Sequence, residues 1–574
     1  MQVLKLKKTA GYPTSNMNEM KIMDESVLDK PLYRTILDAN SENMDVLAGV
    51  SSHYRLTYGD LFRNIDRLAD VLSDFGLKAG DSLIEFVMDK ITAITIILAC
   101  SKIGVQVIVA HPRFDDEMLS KVIKHNSVKL LLCAEVMYPA FASMNSVNDI
   151  SKIVVLPMAR DYVTDWKNKS VPVSTEVTTW NEFINTKCTC KSEEVKTGEY
   201  PLMVCGSTGT TGVPKLIVHT NRSINASIIE KKEASPDWRR GDILIAYPPP
   251  YVVSCLACLS FAPLTMGVTI VSETGKGKAD TGPNATNEKF EYEFILKHKA
   301  NILMTTKSDL LSMVSQCRGL TLDLSHLRHV FVLGETINPK ESKMISDFLA
   351  SNGCNVFLEN LYGMSELTTF SYHRYDDESE VSKCSVLPFV VVSAFDPDTG
   401  EECPYNTVGR IYVKTPSMMK EYMLNEEATD NFFRKDNEGN TWCCTGDIGY
   451  VTEDNKVVAH GRYTENFVDA NGNIVFPYMI SDVLIREENV VSCKIITKQF
   501  GEKKKLVVHV LVKDIPEDVE KYVSHLDEML RESDTVKVYP DLYKIRTKFP
   551  IFHSKISMRD IAMEQDGFIE VSKK

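Results

Sequence analysis

Apolar residues in this chain recur first at helical spacing and then in short continuous runs. Leu61, Ile65, Leu68 and Leu72 predict one apolar helix face, and Gly76 closes that helix. Thr57-Tyr-Gly-Asp60 marks its start, because the threonine and the residue three positions on can each satisfy the other's backbone N–H. From there strand-like and helix-like pieces alternate. Ser82 to Val87 predicts a strand, Thr92 to Gly104 a helix, Val105 to Ala110 a strand and Met118 to His125 a helix. Val128 to Cys133 and Ile153 to Leu156 predict two more strands. Such alternation implies an α/β fold with a mainly parallel, helix-covered sheet.

A second alternating unit spans Ile243 to Asn360. It holds a buried strand from Leu327 to Leu333, a helix from Pro339 to Ala350 and a strand from Val356 to Leu358. The pattern then turns β-rich, with runs at Phe389 to Phe395, Gly409 to Lys414, Trp442 to Tyr450 and Lys456 to Ala459. Near Arg462 it changes again, to a small lysine-bearing α+β segment. Residues 1–30 show no periodicity and are expected to be a poorly ordered arm. The expected organisation is therefore this arm, a large α/β domain over 31–461 ending in a small β-rich subdomain, and a separate α+β domain over 462–574. The uncharged run from Ile243 to Ser272 is long enough for a membrane span. Pro248, Pro249, Pro250, Pro263 and Gly267 divide it, so buried strands and a helix are expected instead of a transmembrane segment.

A net charge of −13 excludes a nucleic-acid partner, which would need a basic surface. The 14 cysteines show no metal-ligand spacing. Met1-Gln-Val-Leu-Lys-Leu-Lys-Lys8 lacks the apolar core of a secretory signal, and Val571-Ser-Lys-Lys574 is not a Ser-Lys-Leu address. A cytoplasmic location with reduced thiols is expected, and peripheral membrane contact stays open.

One stretch carries candidate chemistry. The apolar run Leu202 to Cys205 leads into Gly206-Ser-Thr-Gly-Thr-Thr-Gly212, then Val213, Pro214 and Lys215, before apolar residues resume at Leu216. This predicts a strand, a small-residue loop and a second strand. Glycines admit backbone N–H groups close to an anion, hydroxyls add donors and lysine adds charge, as a polyphosphate-gripping loop requires. It is not a Walker A loop, since Val213 and Pro214 separate the last glycine from Lys215.

Ser207-Thr-Gly-Thr-Thr-Gly-Val-Pro-Lys215 resembles the phosphate loop of the adenylate-forming enzymes, which include acyl-CoA synthetases, aryl-CoA ligases, luciferases and peptide-synthetase adenylation domains. Further pieces along the chain match that family. The resemblance implies a large N-terminal α/β domain and a mobile C-terminal lid, and activation of a carboxylate by ATP with release of pyrophosphate. It implies that Ser207, Thr208, Gly209, Thr210, Thr211, Gly212 and Lys215 hold the β- and γ-phosphates. Tyr362-Gly-Met-Ser-Glu366 is similar to the family's Tyr-Gly-x-Thr/Ser-Glu, which puts Tyr362 and Gly363 near adenine, Ser365 on the α-phosphate and Glu366 on Mg²⁺. Gly334, Glu335 and Thr336 correspond to the adenine-side loop. Thr445-Gly-Asp447 resembles the motif whose carboxylate accepts the ribose hydroxyls, Arg462 is implied at the ribose, and Lys555 is implied between the substrate carboxylate and the α-phosphate.

The departures cluster. Leu216 replaces the usual glycine, and Pro248-Pro-Pro-Tyr251 replaces a segment that often carries a histidine beside the acyl pocket. Tyr463-Thr464-Glu465 lacks the junction lysine, although Glu465 remains available as a hinge, and Ser554 precedes Lys555 in place of glycine. The expected activity is that of an acyl-CoA synthetase using ATP, Mg²⁺ and coenzyme A on a medium- or long-chain fatty acid. Two other readings are an adenylate-forming enzyme with a different acceptor and a degenerate homologue that only binds nucleotide or acyl ligand.

Overall fold

The computed structural model describes residues 3–15, 22–51, 54–112, 114–157, 174–207, 215–235, 237–273, 292–334, 337–375, 383–468, 474–501, 503–534, 536–552, 555–556 and 558–570. Two large sheets face each other across a shared apolar core. The helix Lys90–Ile103 is apolar on every side, and it is buried on nearly every side. Asp89 caps it by accepting from the Thr92 N–H at 2.8 Å. The amphipathic helix Tyr58–Asp74 presents Leu61, Ile65, Leu68 and Leu72 to the same core, and both halves of the Thr57–Asp60 capping box are formed.

The first sheet has eight strands. Pro201–Gly206, Gln106–Val109, Ser82–Phe86, Leu130–Ala134, Lys152–Leu156 and Glu176–Thr179 run parallel in that order. Leu216–Thr220 and Glu421–Met423 extend it antiparallel beyond Pro201–Gly206. The strand–loop–strand reading around Ser207 is thus a hairpin one strand in from this sheet's edge. A helix absent from the sequence reading follows it, Asn221–Ala234, capped by Thr220.

The second sheet has fourteen strands. Its parallel part runs Leu358–Met364, His329–Leu333, Ile302–Thr305, Ile243–Ala246, Thr269–Val271 and Leu47–Val50. The β-rich region is continuous with it: Thr368–Tyr375, Cys384–Val386, Lys456–Arg462, Thr441–Val451 and Gly409–Lys414 add on antiparallel. The last strand of the parallel part runs farther than the sequence suggests. Antiparallel pairing with Thr368–Tyr375 carries it past Leu358 to Met364. A separate four-stranded sheet, Val490–Phe500, Lys503–Val512, Leu542–Arg546 and Ile569–Glu570, forms the C-terminal unit with helices Pro477–Leu484 and Val519–Arg531.

The uncharged run becomes strand Ile243–Ala246, helical turns from Val253 through a π-helical stretch at Ala257–Phe261 to Thr265, and strand Thr269–Val271. Among the described residues no helix is long and apolar enough to cross a membrane.

The N-terminal arm corrects its expectation. Leu4 and Leu6 are buried with Phe395, Tyr412 and Trp442, and Glu402 accepts from the Thr14 N–H at 3.0 Å. Their partners lie some four hundred residues away, so no local period betrays them. Leu4→Ala is expected to cost about 2–4 kcal/mol of stability, read by denaturant unfolding.

Candidate active site

The candidate site is assembled on the strand that follows the Gly/Ser/Thr loop. Side chains alternate along a strand, so Lys215, Ile217 and His219 share one face of Leu216–Thr220 and its approach. Lys215 is tied back to the loop's other end: Ser207 N–H donates to Lys215 O at 2.8 Å, and Lys215 N–H donates to Ser207 Oγ at 3.0 Å. These bonds close the loop at its base. Thr208, Gly209, Thr210, Thr211 and Gly212 lie outside the described residues.

The turn between Leu358–Met364 and Thr368–Tyr375 lies over that face. His219 Nε2 is 2.8 Å from Ser365 O, and Nδ1 is 3.2 Å from Ser223 Oγ. A carbonyl only accepts, so Nε2 carries the proton and Nδ1 accepts from the serine. Burial lowers the His219 pKa to about 4. A neutral imidazole therefore fixes the Ser365 backbone. The unfolded chain binds this proton below about pH 6.5 and the folded chain only below about 4, so the stabilisation is complete above 6.5 and is lost as pH falls toward 4. His219→Gln is expected to flatten the dependence of melting temperature on pH across that interval, by about one proton's worth of slope.

Glu366 is buried, and its backbone carbonyl accepts from Met419 N–H at 2.7 Å. Tyr422 OH donates to Glu366 Oε1 at 2.6 Å. The other carboxylate oxygen accepts no hydrogen bond from the described residues. A hard, oriented oxygen of this kind fits Mg²⁺. Glycine is required at 363, where a Cβ would stand 2.0 Å from Thr368 O.

A second polar cluster is a few residues away. The parallel register pairs Leu333 with Leu361, so Gly334 falls beside Tyr362. Glu335 and Thr336 lie outside the described residues. Tyr362 packs its ring 4.6 Å from Phe370 and donates its hydroxyl to Asp447 Oδ2 at 2.5 Å. Burial, then the Asp447 charge, raise the Tyr362 pKa well above its ordinary value, so it remains a donor. Asp447 and Arg462 are register partners on Thr441–Val451 and Lys456–Arg462. Arg462 Nε is 3.3 Å from Asp447 Oδ1, and Arg462 Nη1 donates to Thr445 O at 2.7 Å. Gly446 has φ +77°, and a Cβ there would approach Arg462 Nη1 to 3.1 Å. Burial is the largest influence on Asp447 and raises its pKa; Arg462 and then Tyr362 oppose it.

The structure thus brings together Ser207, Lys215, Gly334, Tyr362, Gly363, Ser365, Glu366, Asp447 and Arg462 along adjoining strand ends. Lys555 lies on the short strand Lys555–Ile556, paired with Ile551–Phe552, and its side chain falls outside the described part. His219 and Tyr422 escaped the sequence reading. A lone histidine in an otherwise apolar strand is the one signal that points to the former.

The hairpin that carries Ser207 and Lys215 on one sheet thus meets a buried carboxylate, and near it an acid–arginine pair, on the other. The family model for the AMP-binding enzyme matches residues 37–423, more than half of the 574. The chain is 22% identical to 4-coumarate–CoA ligase 4 of Arabidopsis thaliana over 79% of its length and 76% of the relative's. It is 24% identical to 2-succinylbenzoate–CoA ligase of Bacillus licheniformis over 86% and 92%. The solved structure of ATP-bound MatB from Rhodopseudomonas palustris superimposes with a TM-score of 0.74 at 18% identity, covering 93% of this chain and 98% of that one. The chain belongs to the AMP-binding enzyme family. The relatives named above are CoA ligases, and the superimposed MatB structure is ATP-bound.

Proposed function

We propose that the chain activates a medium- or long-chain fatty acid, forming first the acyl-adenylate and then the CoA thioester. The observation that carries the nucleotide half is the single strand face on which Lys215 and the Ser365–Glu366 turn meet, with Asp447 and Arg462 at its nucleoside end. The substrate carboxylate oxygen bonds to the α-phosphorus as the bond to the β-phosphate oxygen breaks. Ser207, Lys215 and the loop between them receive the β- and γ-phosphates. Ser365 donates to the α-phosphate, Glu366 would hold Mg²⁺, Asp447 and Arg462 hold the ribose, Gly334, Tyr362 and Gly363 flank adenine, and Lys555 neutralises charge developing at the reacting carboxylate. Bound Mg²⁺ would neutralise charge on the leaving pyrophosphate.

An apolar acyl chain is supported by the uncharged segment from Ile243 to Ser272, most of which is buried between the two sheets. Tyr251, within this segment, stacks on Phe86 at 6.0 Å and meets His111 edge-on at 5.5 Å, so aromatic rings pack against it. Thioester formation over a series of straight-chain acids from butyrate to stearate tests this. Turnover is expected to rise with chain length to a maximum at medium or long chains. A preference for short or aromatic acids would refute the fatty-acid assignment, and pyrophosphate release indifferent to CoA would refute the thioester half.

A further inference from the structure

Tyr422 lies on the three-residue strand Glu421–Met423, paired antiparallel with Leu216–Thr220 so that Tyr422 faces Ile217. Directly opposed residues on paired strands point to the same side. Tyr422 therefore shares the face that carries Lys215, two residues before Ile217. The consequence is a double contact. Lys215 Nζ sits 4.7 Å from the centre of the Tyr422 ring, a cation–π distance, while the hydroxyl of the same ring donates to Glu366 Oε1 at 2.6 Å. The ring itself is fixed, edge-on to Phe432 at 5.8 Å, and Tyr422 N–H donates to Thr429 Oγ1 at 2.9 Å. Burial and the Glu366 carboxylate push the phenol far above its ordinary pKa, so the hydroxyl is a donor at every working pH.

We propose that Tyr422 is a positioning residue of the nucleotide site, holding Glu366 for the metal through its hydroxyl and Lys215 for the phosphates through its ring. The inference rests on the assignment of Glu366 to Mg²⁺. A charge-assisted bond to Oε1 sets the plane of the carboxylate and leaves its second oxygen to the cation. The ring face holds a long, rotatable lysine near the loop it closes, reducing the rotamer freedom lost when phosphate binds. One side chain thereby couples the two groups that meet the polyphosphate, although it touches no substrate.

The test is ATP binding by calorimetry with the acid omitted, once with Mg²⁺ and once with EDTA. Tyr422→Phe keeps the ring and its packing, and the melting temperature checks that it does. Its Mg-ATP affinity is expected to fall about tenfold or more, the value of a hydrogen bond to a charged group, with metal-free ATP affinity unchanged. Tyr422→Leu, which also removes the ring, is expected to weaken both. Glu366→Gln alone should lose the Mg²⁺ stimulation, and adding Tyr422→Phe to it should cost nothing more, because the two act through one contact. Equal loss of Mg-ATP and metal-free binding in Tyr422→Phe, no loss at all, or additive losses in the double variant would each overturn the proposal. Retained Mg²⁺ stimulation in Glu366→Gln would instead overturn the metal assignment, and so separates the two failures.

Discussion

Lys555→Ala is expected to lower carboxylate-dependent pyrophosphate release by about a hundred- to a thousandfold while leaving ATP affinity and melting temperature nearly unchanged. The size follows from the role. A donor aimed at charge that develops only during attack contributes to the transition state and little to the bound ground state. Lys555 belongs to a short strand pair, Ile551–Phe552 with Lys555–Ile556, near the C-terminal end of the chain. A surface lysine there would cost nothing when removed. A lysine brought to the α-phosphate costs several kcal/mol of barrier, and the loss appears in kcat more than in KM. Pyrophosphate release by the variant at the wild-type rate would remove Lys555 from the chemistry.

Asp447→Ala carries the second large effect, on binding. The carboxylate is buried between the Tyr362 hydroxyl and the Arg462 guanidinium, and ribose hydroxyls would donate to it as well. Losing two hydrogen bonds to a charged acceptor is expected to weaken ATP about a hundredfold or more. Two controls sharpen the result. AMP shares the ribose, so its affinity should fall by the same factor, whereas inhibition by pyrophosphate, which has no ribose, should not move. Asp447→Asn keeps the shape and removes the charge, and it is expected to fall between wild type and alanine. An unchanged nucleotide affinity in Asp447→Ala would place the ribose elsewhere.

What the sequence made legible was local. The Thr57–Asp60 capping box and the apolar stripe of the helix behind it are decided within a few residues, and both formed. The helix expected over Thr92 to Gly104 is decided just as locally, and it forms as Lys90–Ile103. The hairpin about Ser207 and Lys215 was readable because two apolar runs flank a stretch of Gly, Ser and Thr. What escaped depends on distant partners. Leu4 and Leu6 look like an isolated arm until Trp442 and Phe395 are set beside them. Tyr422 meets Glu366 across 56 positions and His219 meets Ser365 across 146, and no periodicity encodes either meeting. The strand through Tyr362 extends to Met364 only because Gly363 admits the close approach of Thr368. Residue identity pointed to the motifs; their coupling through His219 and Tyr422 belongs to tertiary structure.

The most direct measurement is carboxylate-dependent exchange of labelled pyrophosphate into ATP, with Mg²⁺ present and CoA absent. Exchange reports the acyl-adenylate itself, independently of the thiol acceptor. Label is expected to enter ATP only when a suitable acid is supplied, and to stop when Mg²⁺ is withdrawn. Tight ATP binding with no exchange across a broad panel of acids would contradict the adenylate and make this chain a nucleotide-binding homologue without the chemistry.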